Sequence, residues 1–438
     1  MRRSSRSLFT LVLLLITALV AVPAFGQALN VQIVGGIKSA TPIAVVPFAQ
    51  QGAPLPTDVA DVIRNDLNRC GKFRSLAVSE IVEQPSQGSD IKFATWRLLK
   101  QDYIVIGRIK DAGNGMVTVE YELWDVNRQQ RLLGEAMSPA PISDLRSVAH
   151  QIADKIFQQI TGIPGAFWTR IAYVTMVGTG NNATYSLIVA DSDGYNPQVV
   201  ARSHEALLSP KWSPDGTRIA YVSFESGDSA IYVQNISTGA RQLLSARKGI
   251  NGAPAWSPDG TKLAMALSYT GNPEIYVMDL ASRAETRLTR SLAINTEPVW
   301  SPDGQSIYFT SDRSGRPQIY RIAASGGTPE RISFQGQQNL DAAVSYDGKQ
   351  IAMVQANGNV YRIAIMDQSL GGQVRFISPG PIDESPSFAP NASMLIYAAT
   401  DGTRDVLYAV SNDGMVRQRL ALADGDVRSP AWGPYRKQ

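Results

Sequence analysis

From residue 169 onward, short apolar runs recur at one interval. "IAYV" at Ile219 returns as "LAMA" at Leu263, "IYFT" at Ile307, "IAMV" at Ile351 and "LIYA" at Leu395, each 44 residues after the last. A second apolar run follows each one: "IYVQNI" at Ile231, "IYVMDL" at Ile275, "IYRIAA" at Ile319, "VYRIAI" at Val360 and "LYAVSN" at Leu407. A weaker third run ends the unit, as in "RQLL" at Arg241 and "TRLT" at Thr286. Ahead of the first run stands an aromatic or apolar residue at Trp212, Trp256, Trp300, Val344, Phe388 and Trp432, again in steps of 44. Runs this short, bounded by turn residues, predict strands.

Four short strands in such a period predict a propeller blade. One blade cannot bury both faces of its small sheet, whereas a ring of blades can. The Trp and Tyr residues are expected to fill the space between neighbouring sheets. "WSPDG" (256–260) joins the first two strands. Ser opens a type I turn, Pro presets φ at the second position, Asp fits the third and Gly the fourth. Degenerate copies stand at Ser345-Tyr346-Asp347-Gly348 and Ala389-Pro390-Asn391-Ala392. "TRIAYV" (169–174) is an extra apolar strand with no such turn before it, and "SPAWGP" (429–434) is a Trp strand with nothing after it. Their pairing would close a six-bladed β-propeller over 166–434 and remove a free edge.

Residues 41–162 follow another pattern. "PIAVVPF" predicts a strand, and "TDVADVIRNDLNRC" (57–70) a helix with Thr57 as its N-cap. "FRSL" predicts a short strand, and "SDIKFATWRLLKQ" (89–101) a helix capped by Ser89. Three strands follow in "YIVIGRIK", "MVTVEYELWDV" and "RLLGEAMS". The last helix carries an apolar stripe at Leu145, Val148, Ala149, Ile152, Ile156 and Ile160. His150 lies off that stripe and is expected at the surface. The order βαβαβββα predicts a compact mixed α/β domain, joined to the ring by "GIPGA" (162–166).

Residues 27–40 form an arm in which Leu29, Val31 and Ile33 alternate with Asn30 and Gln32. That period predicts a strand, either at the edge of the domain behind it or added to a partner's sheet. Residues 1–26 read as a secretory signal peptide. Arg2, Arg3 and Arg6 precede an apolar run from Leu8 to Val22, with cleavage expected near Gly26 or Ala28. The run is shorter than the about 18–20 residues of a membrane span.

The leader alters the charge reading. The whole chain has 41 Lys+Arg against 38 Asp+Glu, and the leader holds three of the arginines and no acid. The mature chain is formally neutral, which gives no argument for nucleic acid or anionic lipid. The single cysteine, Cys70, falls in a predicted helix and is expected to be buried. An exported chain of this size can rely on its core in place of disulfides.

Catalytic patterns are absent. No Gly-x-Ser-x-Gly elbow occurs. Two distant histidines, His150 and His204, do not make a zinc site. "DSDGYN" (191–196) resembles the start of a calcium loop and lacks the later glutamate, so a polar hairpin turn is expected. No cofactor and no metal are expected. What remains is binding. The segments entering each Trp strand, "GINGAP", "AINTEP", "NLDAAV" and "PIDESP", run over one face near the channel. They carry Glu297, Asp341, Asp383 and Glu384, a converging set of one sign that can steer a basic partner segment.

The ordered set "RIAYV", "DGYN", "FESG", "NGAP", "YVMDLAS", "NTEP", "FTSDRSGRPQIY" and "DGKQIAMV" resembles the TolB family of the Tol-Pal system over essentially the whole mature chain. The resemblance implies a non-enzymatic periplasmic protein that binds the lipoprotein Pal through its propeller face and TolA through its arm and N-terminal domain. Such proteins support outer-membrane integrity and invagination during division, and some bacteriocins use the same face. Asn251, Gly252 and Ala253 match the family's "NGAP" loop, and Asn295, Thr296 and Glu297 its "NTEP" loop. Asp341, and Asp383 with Glu384, match the later loops. The resemblance also favours partner binding by Leu29, Val31 and Ile33. The alternative is a propeller enzyme of lactonase or dehydrogenase type, which needs a channel metal or cofactor.

Overall fold

The computed structural model describes residues 31–33, 40–50, 52, 54–369, 371–420, 422 and 425–437. The expected signal peptide and Leu29 lie outside these residues. No described helix is long and apolar enough to cross a membrane.

Six sheets form the ring. Blade 2 runs Leu207–Trp212, Arg218–Ser223, Ala230–Asn235 and Arg241–Ser245 in that order, all antiparallel. Blades 3, 4, 5 and 6 repeat the plan from Asn251, Asn295, Gln338 and Asp383. Blade 1 takes three strands from Arg170–Val177, Thr184–Asp191 and Gln198–Ser203, and its innermost strand, Asp426–Trp432, from the other end of the chain. Trp432 stands opposite Ile171 and Ala431 opposite Ala172. The closure expected from counting strands is therefore the one observed.

The second strand of each blade is apolar on both faces because both faces meet a neighbouring sheet. Ile219, Ala220, Tyr221 and Val222 are all buried, and so are Leu263, Ala264, Met265 and Ala266. Trp256 packs with Val222 and Ile231 across the gap between blades 2 and 3. The indoles also carry a polar tie. Trp256 Nε1–H donates to the Lys211 carbonyl (3.0 Å) and Trp300 Nε1–H to the Ala255 carbonyl (3.1 Å). A buried indole N–H left without an acceptor would be costly, so the tie fixes each ring against the preceding blade.

The repeated turn has the expected form. Gly260 N–H donates to the Ser257 carbonyl at 2.9 Å, and Gly260 adopts φ +71°. Ser257 Oγ–H donates to Asp259 Oδ1 (2.6 Å) and accepts from the Lys262 N–H (2.9 Å).

The α/β domain contains a sheet in the order Phe73–Ser75, Thr41–Val45, Tyr103–Gly113, Met116–Asp125, Gln130–Ala136. The first three strands are parallel. Helices α1 (Val59–Arg69) and α3 (Leu145–Thr161) pack on one face, while α2 (Phe93–Leu98) contributes Trp96 to a core on the other. Both expected caps are displaced by one to three residues. Asp58, not Thr57, caps α1 by accepting from the Asp61 N–H (3.0 Å). Ser89 falls in a separate 3-10 turn, and Lys92 precedes α2 without a side-chain cap. Cys70 is buried as expected, and burial pushes its thiol up to about 12.

His150 is not at the surface. It is 1% exposed, because the propeller covers that side of α3. One continuous core joins α1 and α3 to Phe167, Tyr173 and Ile188 of the propeller and to Leu407 and Ala409 of blade 6. Periodicity along α3 marks the stripe against its own sheet and carries no trace of this second contact.

Candidate binding face

Six-bladed closure leaves a central channel of ≈ 630 Å³ walled by the innermost strands. Each of these strands breaks its register once. In blade 4 the shift falls between Thr296 and Val299, and in blade 3 between Gly252 and Ala255. At each shift one residue turns into the left-handed region: Ser209, Ala253, Glu297, Asp341, Ser385 and Ser429, with φ between 48° and 54°. These six stand 44 residues apart and line the channel. A bulge re-aims one side chain out of the pleat, here towards the axis.

Two of the six are acidic and adjacent. Glu297 Oε2 accepts from the Asp341 N–H (2.7 Å) and from Thr310 Oγ1–H (2.7 Å). Burial in the channel wall, then the neighbouring Asp341 carboxylate, pushes Glu297 up to about 7. Burial also raises Asp341, and Lys211 in the same wall acts against that rise. Glu384 is exposed, and is raised by partial burial and then by Asp341. Glu297, Asp341 and Glu384 therefore share one field.

Other expected residues have a different setting. The Asn251 and Asn295 side chains are fully buried, and Asp383 is 2% exposed. Asn251 Nδ2 donates to the carbonyls of Arg247 (2.6 Å) and Gly249 (3.1 Å), while its Oδ1 accepts from the Arg247 N–H (2.9 Å). Asn295 Nδ2 donates to Ser291 Oγ (2.9 Å) and the Ala293 carbonyl (3.1 Å). Asp383 accepts from the Gly380 N–H (2.7 Å). These side chains staple the entry loops and set the shape of the face from beneath. Asn339 does the same in blade 5, donating to the Gln335 carbonyl (2.8 Å). Its position 44 residues after Asn295 was the available signal. Gly252, Ala253 and Thr296 are half-buried beside the channel mouth.

Among the outward-facing residues of these loops, several are apolar. Ile250, Ile294 and Ile382 each immediately precede a staple and are 50%, 51% and 42% exposed. Leu292 and Phe334, in the entry loops of blades 4 and 5, are more exposed still. The loops are polar on average, which hides these residues in the sequence. A recurring Ile directly before the buried Asn or Asp was the signal. Apolar side chains rimming a charged opening suit a protein partner better than solvent.

The arm is seated on the ring. Val31–Ile33 pairs antiparallel with Val416–Arg419, the outer strand of blade 6, with Ile33 opposite Val416 and Val31 opposite Gln418. It is thus an edge strand, but of the propeller and not of the adjoining α/β domain. A three-residue ladder on an outer edge satisfies backbone groups without specifying a partner.

Residues 157–436 match the family model described as "TolB beta propeller domain", and residues 29–132 match "TolB amino-terminal domain". A curated relative from Xanthomonas oryzae pv. oryzae, named "Tol-Pal system protein TolB", is 65% identical over 413 residues, covering 94% of each chain. A relative of the same name from Xanthomonas euvesicatoria pv. vesicatoria gives the same identity and coverage. The crystal structure of TolB from Acinetobacter baumannii superposes with a TM-score of 0.84 at 41% identity, covering 93% of this chain and 100% of that one.

Proposed function

Because this chain belongs to the TolB family, we propose that it is a non-enzymatic component of the Tol-Pal system that links the lipoprotein Pal to TolA. In this reading it works in the periplasm after removal of residues 1–26, and supports outer-membrane integrity and invagination during division. Pal sits on the channel mouth. Glu297 and Asp341 offer negative charge at the centre, Glu384 offers it at the rim, and Ile250, Ile294 and Ile382 supply apolar contact. Asn251, Asn295 and Asp383 hold those loops in shape, and Gly252, Ala253 and Thr296 form the surface between them. The observation that carries this reading is the adjacency of the Glu297–Asp341 pair to an exposed isoleucine rim. Bacteriocins that exploit the system would use the same mouth.

TolA takes the arm, with Leu29, Val31 and Ile33 as the residues that alternate towards it. A strand held by a short edge ladder can exchange that edge for a partner's at little cost. The domain limits that go with this reading are 27–40 for the arm, 41–162 for the α/β domain and 166–434 for the propeller.

A pull-down with Pal tests the face. Thr296→Ala/Glu297→Ala should lose most of the Pal captured by the unaltered protein, and undiminished capture would refute the assignment. Deleting residues 28–34 should abolish capture of TolA alone. The enzyme alternative is tested by metal analysis of the purified protein, where tight stoichiometric metal would revive it.

A further inference from the structure

"DSDGYN" (191–196) is a hairpin turn, but not a solvated one. It joins two strands of blade 1 and enters the angle between α1 and α3, where Ser192 is 0% and Asp193 3% exposed. Four other charged groups surround it. Arg69 of α1 donates through Nη1 to the Ser192 carbonyl (3.0 Å) and through Nη2 to Ser192 Oγ (2.7 Å). The same guanidinium pairs with Asp66 at 2.9 Å. Arg146 of α3 pairs with Asp193 and stacks on Tyr195, its Cζ 3.3 Å from the ring centroid.

His150 closes the set. Its Nδ1 lies 2.6 Å from Asp66 Oδ2, and its Nε2 lies 3.4 Å from Asp193 Oδ2. One carboxylate belongs to the α/β domain and the other to the propeller. The first contact is a short hydrogen bond, while the second has charge-pair distance without good hydrogen-bond geometry. A ring with an acid at each nitrogen is satisfied only as the imidazolium, which has two donors. Ligand atoms of Asp66, His150 and Asp193 lie within 4.8 Å of one another. However, two guanidiniums already balance the two carboxylates, so a dication would leave twice the buried positive surplus that an imidazolium leaves.

We propose that protonated His150 is a charge latch that clamps the α/β domain to blade 1, and that removing its proton lets the domain swing about residues 162–165. The groups facing it are Asp66 and Arg69 from α1, Arg146 and Asp154 from α3, and Asp193 from the turn. Asp154 also holds the hinge, accepting from the N–H groups of Phe167 (2.7 Å) and Trp168 (3.1 Å). Burial alone would push the imidazole down, but Asp66 and then Asp193 outweigh it and hold it up at about 10. The latch is fully set below the ordinary histidine value of 6.5 and fades as pH rises towards about 10. It therefore stays closed at neutral pH and opens under alkaline conditions or when a partner draws Asp193 away. The inference holds whatever occupies the propeller face.

Two measurements test it on the full mature chain. The chain has only two histidines, so ¹⁵N imidazole spectra resolve His150 directly. An imidazolium signal for His150 at about pH 8 is expected, and a neutral ring there overturns the proposal. Spin labels at Ser89→Cys and Thr238→Cys, both exposed sites, report the distance between domains. The buried, neutral Cys70 thiol will not compete for label. One narrow distance is expected at neutral pH, broadening above about pH 10 and in His150→Gln at neutral pH. If His150→Gln does not fold, Asp193→Asn makes the same break from the propeller side. An unchanged narrow distance in the folded variant and in the alkaline wild type refutes the latch.

Discussion

Trp212 donates its indole N–H to the Ala431 carbonyl at 3.1 Å, joining residues 219 positions apart. It is the same tie that Trp256 makes to Lys211 and Trp300 to Ala255, each 45 positions back. The ring closes by using its ordinary inter-blade contact once more, between the start and the end of the chain. The Gly-Pro that follows Trp432 extends this match. Pro434 packs 3.3 Å from where a Cβ on Gly216 would lie, as Pro214 stands beside Gly260 and Pro258 beside Gly304.

Closure therefore rests on Trp432. It is 4% exposed, donates to Thr169 Oγ1 (2.8 Å), and accepts through its own strand the partnership of Ile171. Trp432→Ala should cost about 3–5 kcal/mol, read by urea unfolding of the propeller. A loss below about 1 kcal/mol would mean that the ring is held shut elsewhere.

The turn glycine is a backbone requirement. At Gly260 a Cβ would meet only ordinary contacts near 3.6 Å, so the strain of Gly260→Ala comes from φ +71° alone. The expected cost is about 1–2 kcal/mol by thermal or urea unfolding. Pal capture should be unchanged, because the turn and the entry loops that carry the isoleucine rim lie at opposite ends of the innermost strand.

Staple and rim should separate cleanly. Asn251→Ala strands the buried partners of a fully buried amide and should cost about 1–3 kcal/mol of stability. Ile294→Glu, at a half-exposed site, should leave stability within about 0.5 kcal/mol and weaken Pal capture. Equal stability loss in both variants would dissolve the distinction.

Binding at the mouth should depend on pH near neutrality. Glu297 sits up at about 7, raised by burial and by Asp341, against an ordinary value of 4.5. A carboxyl raised on folding favours the folded state most below its ordinary value, and that advantage is lost as pH rises through the raised value. Binding of a basic segment runs the other way and should strengthen as pH passes upward through about 7. Calorimetric titration on each side of that pH checks this, and Glu297→Gln should flatten the profile.

The blades were legible because each one solves the same local problem. A strand covered on both faces must be apolar throughout, and a tight turn needs Ser, Pro, Asp and Gly in order, so the period shows in the residues themselves. Six Trp-type strands, the last of them misplaced, and six apolar strands were enough to foresee the closure. The acidic pair was also visible as residue types, but its adjacency was not, since Glu297 and Asp341 belong to different blades. The staples were hidden for a related reason: a polar side chain in a polar loop reads the same whether it faces water or its own backbone.

The chain alone thus determined the repeat, the turn, the two-part organisation and the family. Tertiary structure decided the rest. His150 looked exposed because helical periodicity reports one buried face, and the propeller supplied a second. The arm's alternation declared a strand, yet its seat on Val416–Arg419 depends on which edge lies nearest in space. Local pattern encodes how a segment must fold. Which distant groups meet it is set only when the ring closes and the α/β domain settles on blades 1 and 6, because a contact across hundreds of residues leaves no period in either partner.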